Sequence, residues 1–351
     1  MFEENELNYI EYSELKEHLD EHYLEIEKLR HTFLLSEQDL APYRNSVGKS
    51  KDAILKSIYE ADSVKESKGD MHLLKIKEKV DKLSPKGKDY SDKMSQLVNE
   101  MVTEIPQQNR VSLTKYVARR KLVLELFDSL LEKAKEQLKG EGRISEDLLH
   151  NLIFKQRTDD TENSDLWLVN EDFLFFDGVS EEYIKNLEYN GEKIIKENMT
   201  PEELEVFESL GESMGDKRPD ILLFPEENKC IIIELKAPDV NVSKHLTQIN
   251  NYASILMNFT KAQFKCTTFY GYLIGEGINY MNAKFQYPNI QSAYNLGYLF
   301  IPRESIPSIM GEQEGSLYTE IIKYSTLLDR AKKRNKIFMK KLGIDSELSS
   351  E

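Results

Sequence analysis

Two carboxylates and an ammonium are spaced for chemistry in one short stretch of this chain. Residues 216–252 read DKRPDILLFPEENKCIIIELKAPDVNVSKHLTQINNY. Residues 221–224 form an apolar run, 225–229 are polar and turn-like, and 230–235 form a second run rich in β-branched side chains. Two such runs around a short break predict a β-hairpin. If Phe224 faces Cys230, then Leu222 faces Ile232 and Asp220 faces Glu234. Directly opposed side chains lie roughly 5 Å apart, where two like charges repel and require compensation. Lys236 is two residues beyond Glu234 and shares its face. The hairpin end therefore gathers oxygen ligands of the kind that Mg²⁺ takes, with one ammonium beside them. The plain alternative is a hairpin whose Glu234 and Lys236 are merely a solvated face.

Other chemistry-bearing residues flank this stretch. After Pro238, Ser243 is the expected cap of a helix running to Phe259. Ile249, Ala253 and Leu256 form its buried side, and His245, Gln248 and Tyr252 its other face. Upstream, Ser145 is the expected cap of a helix over 146–154, with Leu149 and Leu152 or Ile153 inward. Glu146 and His150 are four apart there and share a face.

The elements that must position these groups read as follows. Residues 1–35 form an acidic amphipathic helix with Leu15, Leu19, Tyr23, Ile26, Leu29 and Phe33 as its apolar stripe. A helix over 50–64, a polar lysine-rich stretch over 65–92 with a break at Ser84-Pro85-Lys86-Gly87, and a short helix over 94–105 closed by Pro106 follow. Residues 112–138 form a long helix. Residues 166–169 and 173–176 read as strands, or as a strand with an irregular partner. An acidic insertion over 178–217 carries a helix over 199–210, with Thr200 capping and Pro201 in its first turn. Residues 267–274 and 296–301 read as strands, and 317–342 as a final helix. This order predicts an α/β core, a mixed sheet flanked by helices, preceded by a helical N-terminal region.

Composition narrows the function classes. The chain has 351 residues, 40% of them hydrophobic and 31% charged. That suits a globular protein of two domains. No basic apolar leader and no apolar run near 20 residues is present, so a soluble cytoplasmic protein without membrane contact is expected. Cys230 and Cys266 give no disulfide framework, and the six histidines show no zinc spacing. A net charge of −15 opposes general attraction to nucleic acid. Local basic clusters do occur, at Lys115, Arg119, Arg120 and Lys121 and at Arg330, Lys332, Lys333, Arg334, Lys336, Lys340 and Lys341. Solvated helix faces account for most of these.

Pro219-Asp220, thirteen residues, then Glu234-Leu235-Lys236 resembles the PD-(D/E)XK nuclease motif, and Gln248 with Tyr252 resembles the Q-x-x-x-Y element of several of its branches. The segments KYVARR at 115–120, LHNLIF at 149–154, LWL at 166–168 and DRAKKRNKIF at 329–338 resemble the Shedu family, bacterial antiphage proteins with such a nuclease domain. The resemblance implies a restriction-endonuclease-like αβββαβ core over 111–344, after a helical region over 1–110 for oligomerisation or regulation and before a disordered tail over 345–351. It implies Mg²⁺ or Mn²⁺ held by Asp220, Glu234 and the Leu235 carbonyl. Catalysis would rest on Asp220, Glu234, Lys236, Gln248 and Glu146, and nucleic-acid contact on Arg218, His245 and Tyr252. It also implies DNA as substrate, phage DNA above all, a homo-oligomer such as a tetramer, and a separate ATPase or sensor partner. A non-catalytic module on the same fold, binding nucleic acid or protein, stays open as the alternative.

Overall fold

The computed structural model describes residues 2–44, 48–83, 90–137, 146–189, 191–211, 218–225, 228–293, 297–309, 311 and 314–342. The chain divides into two compact units, residues 1–122 with 334–351, and residues 123–333.

The first unit is helical. It holds α1 (Phe2–Phe33), α2 (Glu37–Leu40), α3 (Lys51–Asp81) and the first part of α4 (Tyr90–Gln137). Ser36 and Asp39 form a capping box at α2, and Ser50 caps α3 through the Ala53 amide. In the α1 stripe, Ile26 and Leu29 are buried with Leu40, Ile54 and Ile58. Leu19 and Tyr23 stay exposed, and the Leu15 side chain lies outside the described residues. Two expectations are corrected. Helix α3 continues to Asp81, and α4 passes through Pro106 without a break. An interior proline costs a helix about 3 kcal/mol, but the loss is local, and a 48-residue helix carries it. The Ser84-Pro85-Lys86-Gly87 break and the 345–351 tail fall outside the described residues. The basic cluster on α4 is used internally. Lys115 lies 3.5 Å from Asp62, Lys121 donates to the His31 carbonyl at 2.5 Å, and buried Arg120 stacks on Tyr116 and Phe338.

The second unit is α/β. After the end of α4 come α5 (Glu146–Ile153), β1 (Asp177–Ser180), the small ribbon β2 (Glu188–Tyr189) and β3 (Glu192–Lys193), and α6 (Pro201–Gly211). Then follow β4 (Ile221–Phe224), β5 (Lys229–Leu235), α7 (Leu246–Phe259), β6 (Thr268–Ile274), α8 (Tyr280–Gln286), β7 (Gln291–Ala293), β8 (Tyr298–Ile306), β9 (Gly315–Ile322) and the start of α9 (Tyr324–Lys341). Seven strands make one sheet in the order β1-β4-β5-β6-β9-β8-β7. β6 runs parallel to both β5 and β9, and the other pairs are antiparallel.

The continuous apolar run of β5 follows from burial on both faces. Cys230 and Ile232 pack in the α7 layer with Ile249, Ala253 and Leu256. Ile231, Ile233 and Leu235 pack in the opposite layer with Phe127, Leu149, Ile153 and Leu327. Helix α7 comes close to β6 because residue 271 is glycine. A Cβ there would stand 2.5 Å from Ile249 Cγ2. Gly271→Ala is expected to cost about 1–3 kcal/mol by overpacking. Urea denaturation measures it, and an unchanged midpoint would show that α7 yields freely.

Several local expectations are corrected. Residues 166–168 and 171–175 are 3-10 turns, not strands. The Asn170 side chain accepts the Asp172 amide at 3.3 Å, so a side chain satisfies a backbone donor that a ladder would otherwise use, and Trp167 Nε1 donates to Asp165 at 2.7 Å. The strand is β1, inside the stretch read as an insertion. Helix α7 starts at Leu246, and Ser243 sits within a 3-10 turn capped by Asn241. Residues 317–322 belong to β9, where burial alternates, and the helix starts only at Tyr324. At α6 the expected cap is present. Glu203 N donates to Thr200 Oγ1 at 3.1 Å, and Thr200 N to Glu203 Oε2 at 2.9 Å. Ser145 lies outside the described residues. No helix among the described residues is long and apolar enough to cross a membrane.

Candidate functional site

The β4–β5 register decides whether the two acids meet. Ile221 pairs with Ile233, Leu222 with Ile232 and Leu223 with Ile231. The same register continued by one residue sets Asp220 against Glu234. The Asp220 amide donates to Glu234 Oε1 at 3.3 Å, and the Leu235 amide to Asp220 Oδ2 at 2.6 Å. Lys236 Nζ lies 2.9 Å from Glu234 Oε2 and 4.0 Å from Asp220 Oδ2. It also donates to the Leu235 carbonyl at 2.8 Å.

Glu146 joins from α5, where its Oε2 accepts the Ala237 amide at 2.9 Å. His150, one turn further on, anchors that helix. Its Nδ1 donates to the Phe154 carbonyl at 2.9 Å, and its Nε2 lies 3.2 Å from the Asp220 carbonyl. Glu234 and Lys236 are not a solvated face. Glu234 is 0% exposed and Lys236 9%. The segment following β5 and the α5 turn that carries Glu146 close over them.

Burial governs the electrostatics. It raises the Glu234 carboxyl to about 8, with Asp220 pushing the same way against the Lys236 ammonium. Burial also raises Asp220, and it raises Glu146 with Asp220 adding to the shift. Lys236 is raised on balance, because the charges of Glu234, Asp220 and Glu146 outweigh its own burial. Three carboxylates thus share one ammonium. A proton on Glu234 offsets part of the excess at neutral pH, and a hard divalent cation would do the same. Asp220, Glu234 and the Leu235 carbonyl are all oxygen donors, so the set fits Mg²⁺ or Mn²⁺, provided the Lys236 ammonium yields the carbonyl it now covers.

Helix α7 contributes differently from expectation. Tyr252 is fully buried and so is not an outer-face contact. Gln248 Nε2 donates to its hydroxyl at 3.1 Å, and that hydroxyl donates to the Arg218 carbonyl at 3.5 Å. The pair braces the strand that delivers Asp220. His245 is half-buried and lowered by burial, with Lys236 and Lys244 adding to the shift. The Arg218 guanidinium stacks on Tyr183 and lies 3.8 Å from Glu181.

No family model, curated protein or solved structure matches the chain.

The site therefore stands on its own geometry. Sequence reasoning missed Glu181. It forms, with His150 and Asp220, a group whose ligand atoms lie within 4.8 Å of one another. Its amide donates to the Asp220 carbonyl at 2.9 Å, and its φ is 51°. Its carboxylate already accepts Gln156 Nε2 at 2.8 Å and lies 3.5 Å from Arg157. Recognition of β1 would have found it, since Ser180 pairs with Ile221 and the next step sets Glu181 beside Asp220.

Proposed function

We propose that residues 123–333 form a PD-(D/E)XK-type, Shedu-like endonuclease that cleaves DNA with Mg²⁺ or Mn²⁺. The observation that carries this is the convergence of Asp220, Glu234 and Lys236, with Lys236 Nζ at 4.0 and 2.9 Å from the two carboxylates. The succession α5, β1, β4, β5, α7, β6 supports it, because it supplies the αβββαβ order that the motif needs around itself.

Asp220, Glu234 and the Leu235 carbonyl would hold the cation. The cation supplies Lewis acidity toward the phosphate and a water of lowered proton affinity. Lys236 stays protonated at neutral pH, so its part is to orient and to offset developing negative charge, not to act as base. Glu146, a carboxylate that burial raises from its ordinary value, is the better proton acceptor. Gln248 and Tyr252 hold the Arg218 segment and with it the backbone position of Asp220. Phage DNA as target, a homo-oligomer, and a separate ATPase or sensor partner are part of this reading through the Shedu resemblance.

A second reading is a non-catalytic nucleic-acid- or protein-binding module. It is favoured by one observation, that the Lys236 ammonium is paired with Glu234 and also bonded to the Leu235 carbonyl, so the cluster is satisfied without a cation. Incubation with linear and circular DNA, with and without Mg²⁺, separates the two. Cleavage that requires Mg²⁺ is expected. DNA that stays intact in Mg²⁺ and Mn²⁺ alike would favour the binding module.

A further inference from the structure

Two arginines converge on one carboxylate oxygen beside this site. A Glu181 carboxylate oxygen lies within 4.8 Å of one of Asp220, and the Glu181 amide donates to the Asp220 carbonyl at 2.9 Å. Glu181 Oε1 accepts Gln156 Nε2 at 2.8 Å. Its other oxygen, Oε2, faces Arg157 Nε at 3.5 Å and Arg218 Nη1 at 3.8 Å. The backbone fixes this meeting. Arg157 N donates to the Ser180 carbonyl at 3.1 Å and Ser180 N to the Thr158 carbonyl at 2.9 Å, which ties residues 157–158 to the end of β1. The Arg218 guanidinium is stacked on Tyr183, 5.2 Å from the ring centre. The Arg157 side chain is 73% exposed and that of Arg218 33%, so both reach solvent.

A finished arginine–carboxylate pair is forked, with two N–H···O bonds of about 2.7–2.9 Å. Neither arginine forms one here, and neither guanidinium donates a hydrogen bond among the described residues. Ion pairs this loose and this exposed add little to stability. The fold alone therefore does not account for two of them on one oxygen. The trio of Glu181, Arg157 and Arg218 keeps a net positive charge in a chain whose net charge is −15. A phosphate presents several oxygens and can take a guanidinium fork on each side, which one carboxylate oxygen cannot.

We propose that Arg157 and Arg218 clamp a backbone phosphate of the DNA next to the bond to be cut, and that the Glu181 carboxylate holds the place of that phosphate until DNA binds. The proposal rests on the DNA reading of the site. The family resemblance implied Arg218 alone; Arg157 and the carboxylate that DNA displaces follow from the distances above.

The test is binding of a short duplex oligonucleotide to the full chain, in EDTA and in Ca²⁺, over a range of salt concentrations. The proteins are the parent, Arg157→Ala, Arg157→Lys, Glu181→Gln, and Arg157→Ala combined with Glu181→Gln, with cleavage in Mg²⁺ alongside. Arg157→Ala is expected to bind about tenfold more weakly, the loss of one charge-assisted contact. Its salt dependence should be shallower by about one ion, and its unfolding midpoint unchanged. Arg157→Lys should keep the parent's salt dependence but not its full affinity, because the fork is lost and the charge is not. Glu181→Gln should bind about threefold more tightly, since both guanidiniums are released. That gain should shrink once Arg157 is alanine.

Parent-like affinity and salt dependence in Arg157→Ala, or no tightening in Glu181→Gln, would overturn the proposal while leaving a cleaving parent enzyme intact. So would an equal gain from Glu181→Gln with and without Arg157, which would mean a general charge effect. A parent that binds the duplex yet cuts no DNA would sink the nuclease reading and leave the affinity comparison to decide on the clamp. A parent that binds no DNA would overturn both.

Discussion

Lys236→Ala is expected to lower DNA cleavage by about a hundredfold to a thousandfold, the usual effect of deleting one preorganised electrostatic group. Its effect on the metal-free fold is expected to be as large. Lys236 is the ammonium that faces Glu234 at 2.9 Å, and that carboxyl is fully buried. Removing one partner of a buried pair costs about 3–5 kcal/mol, because the other is left uncompensated. Protonation of Glu234 relieves part of this, so the loss should be largest above pH 8. Mn²⁺ should restore stability, by about 2.7 kcal/mol at a hundredfold excess over its dissociation constant. Its affinity should not fall, since the Leu235 carbonyl is freed. Cleavage rates and urea midpoints with and without Mn²⁺ check both halves. Undiminished cleavage would remove Lys236 from the chemistry, and unaltered stability would show that the pair is not the internal counter-charge described here.

Without metal, the protein is expected to become less stable as the pH rises from about 5 to about 8, with Glu234 alone giving a slope of ~1.4 kcal/mol per pH unit. The sign follows from Glu234. Its folded carboxyl titrates at about 8, against 4.5 ordinarily. Between those values the folded chain keeps a proton that the unfolded chain has lost. The contribution is fully present below the unfolded value and disappears as the pH passes through the folded one. Glu234→Gln should flatten the slope. Metal binding should run against the same proton, so Mn²⁺ binding at pH 7 should release about one proton. Calorimetry in buffers of different ionisation enthalpy reads that number directly. A proton count near zero, together with a flat stability profile, would mean that Glu234 is already ionised and paired.

Much of the site was legible because β-hairpin register is arithmetic. Facing Phe224 with Cys230 sets Asp220 against Glu234, and the observed Leu222–Ile232 pair obeys it. Lys236 followed from the two-residue period. Helical spacing set Glu146 and His150 on one face, and only the Shedu resemblance set Glu146 at the site. The enclosure of the site was not legible, because it depends on α5 closing over Ala237 through a contact 91 residues apart in sequence. Tyr252 was placed on an outer face for the same reason. Its partner is the Arg218 carbonyl, which no local pattern reveals. In the fold, α1 and strand β6 were readable from periodicity and β5 from its apolar run, while α3 and α4 run on through the polar stretch and the proline that were read as breaks. The aromatic runs at 166–176 were not. Short apolar runs do not distinguish strand from 3-10 turn; the second turn carries an Asn170 side-chain cap, and in the first the Asp165 carboxylate takes the Trp167 indole N–H instead. Strand β9 was lost by merging it with α9, whose apolar spacing begins only at Tyr324.

The metal-dependent expectations rest on one cation shared by Asp220 and Glu234. Anomalous diffraction at the manganese edge, from crystals grown with Mn²⁺, tests that most directly. The expected result is a single strong peak between the Asp220 and Glu234 carboxylates and beside the Leu235 carbonyl, with the Lys236 ammonium moved off that carbonyl. The same data from Asp220→Ala should lack the peak. A wild-type map with no peak there, or with Lys236 still bonded to the Leu235 carbonyl and the manganese elsewhere, would contradict the account.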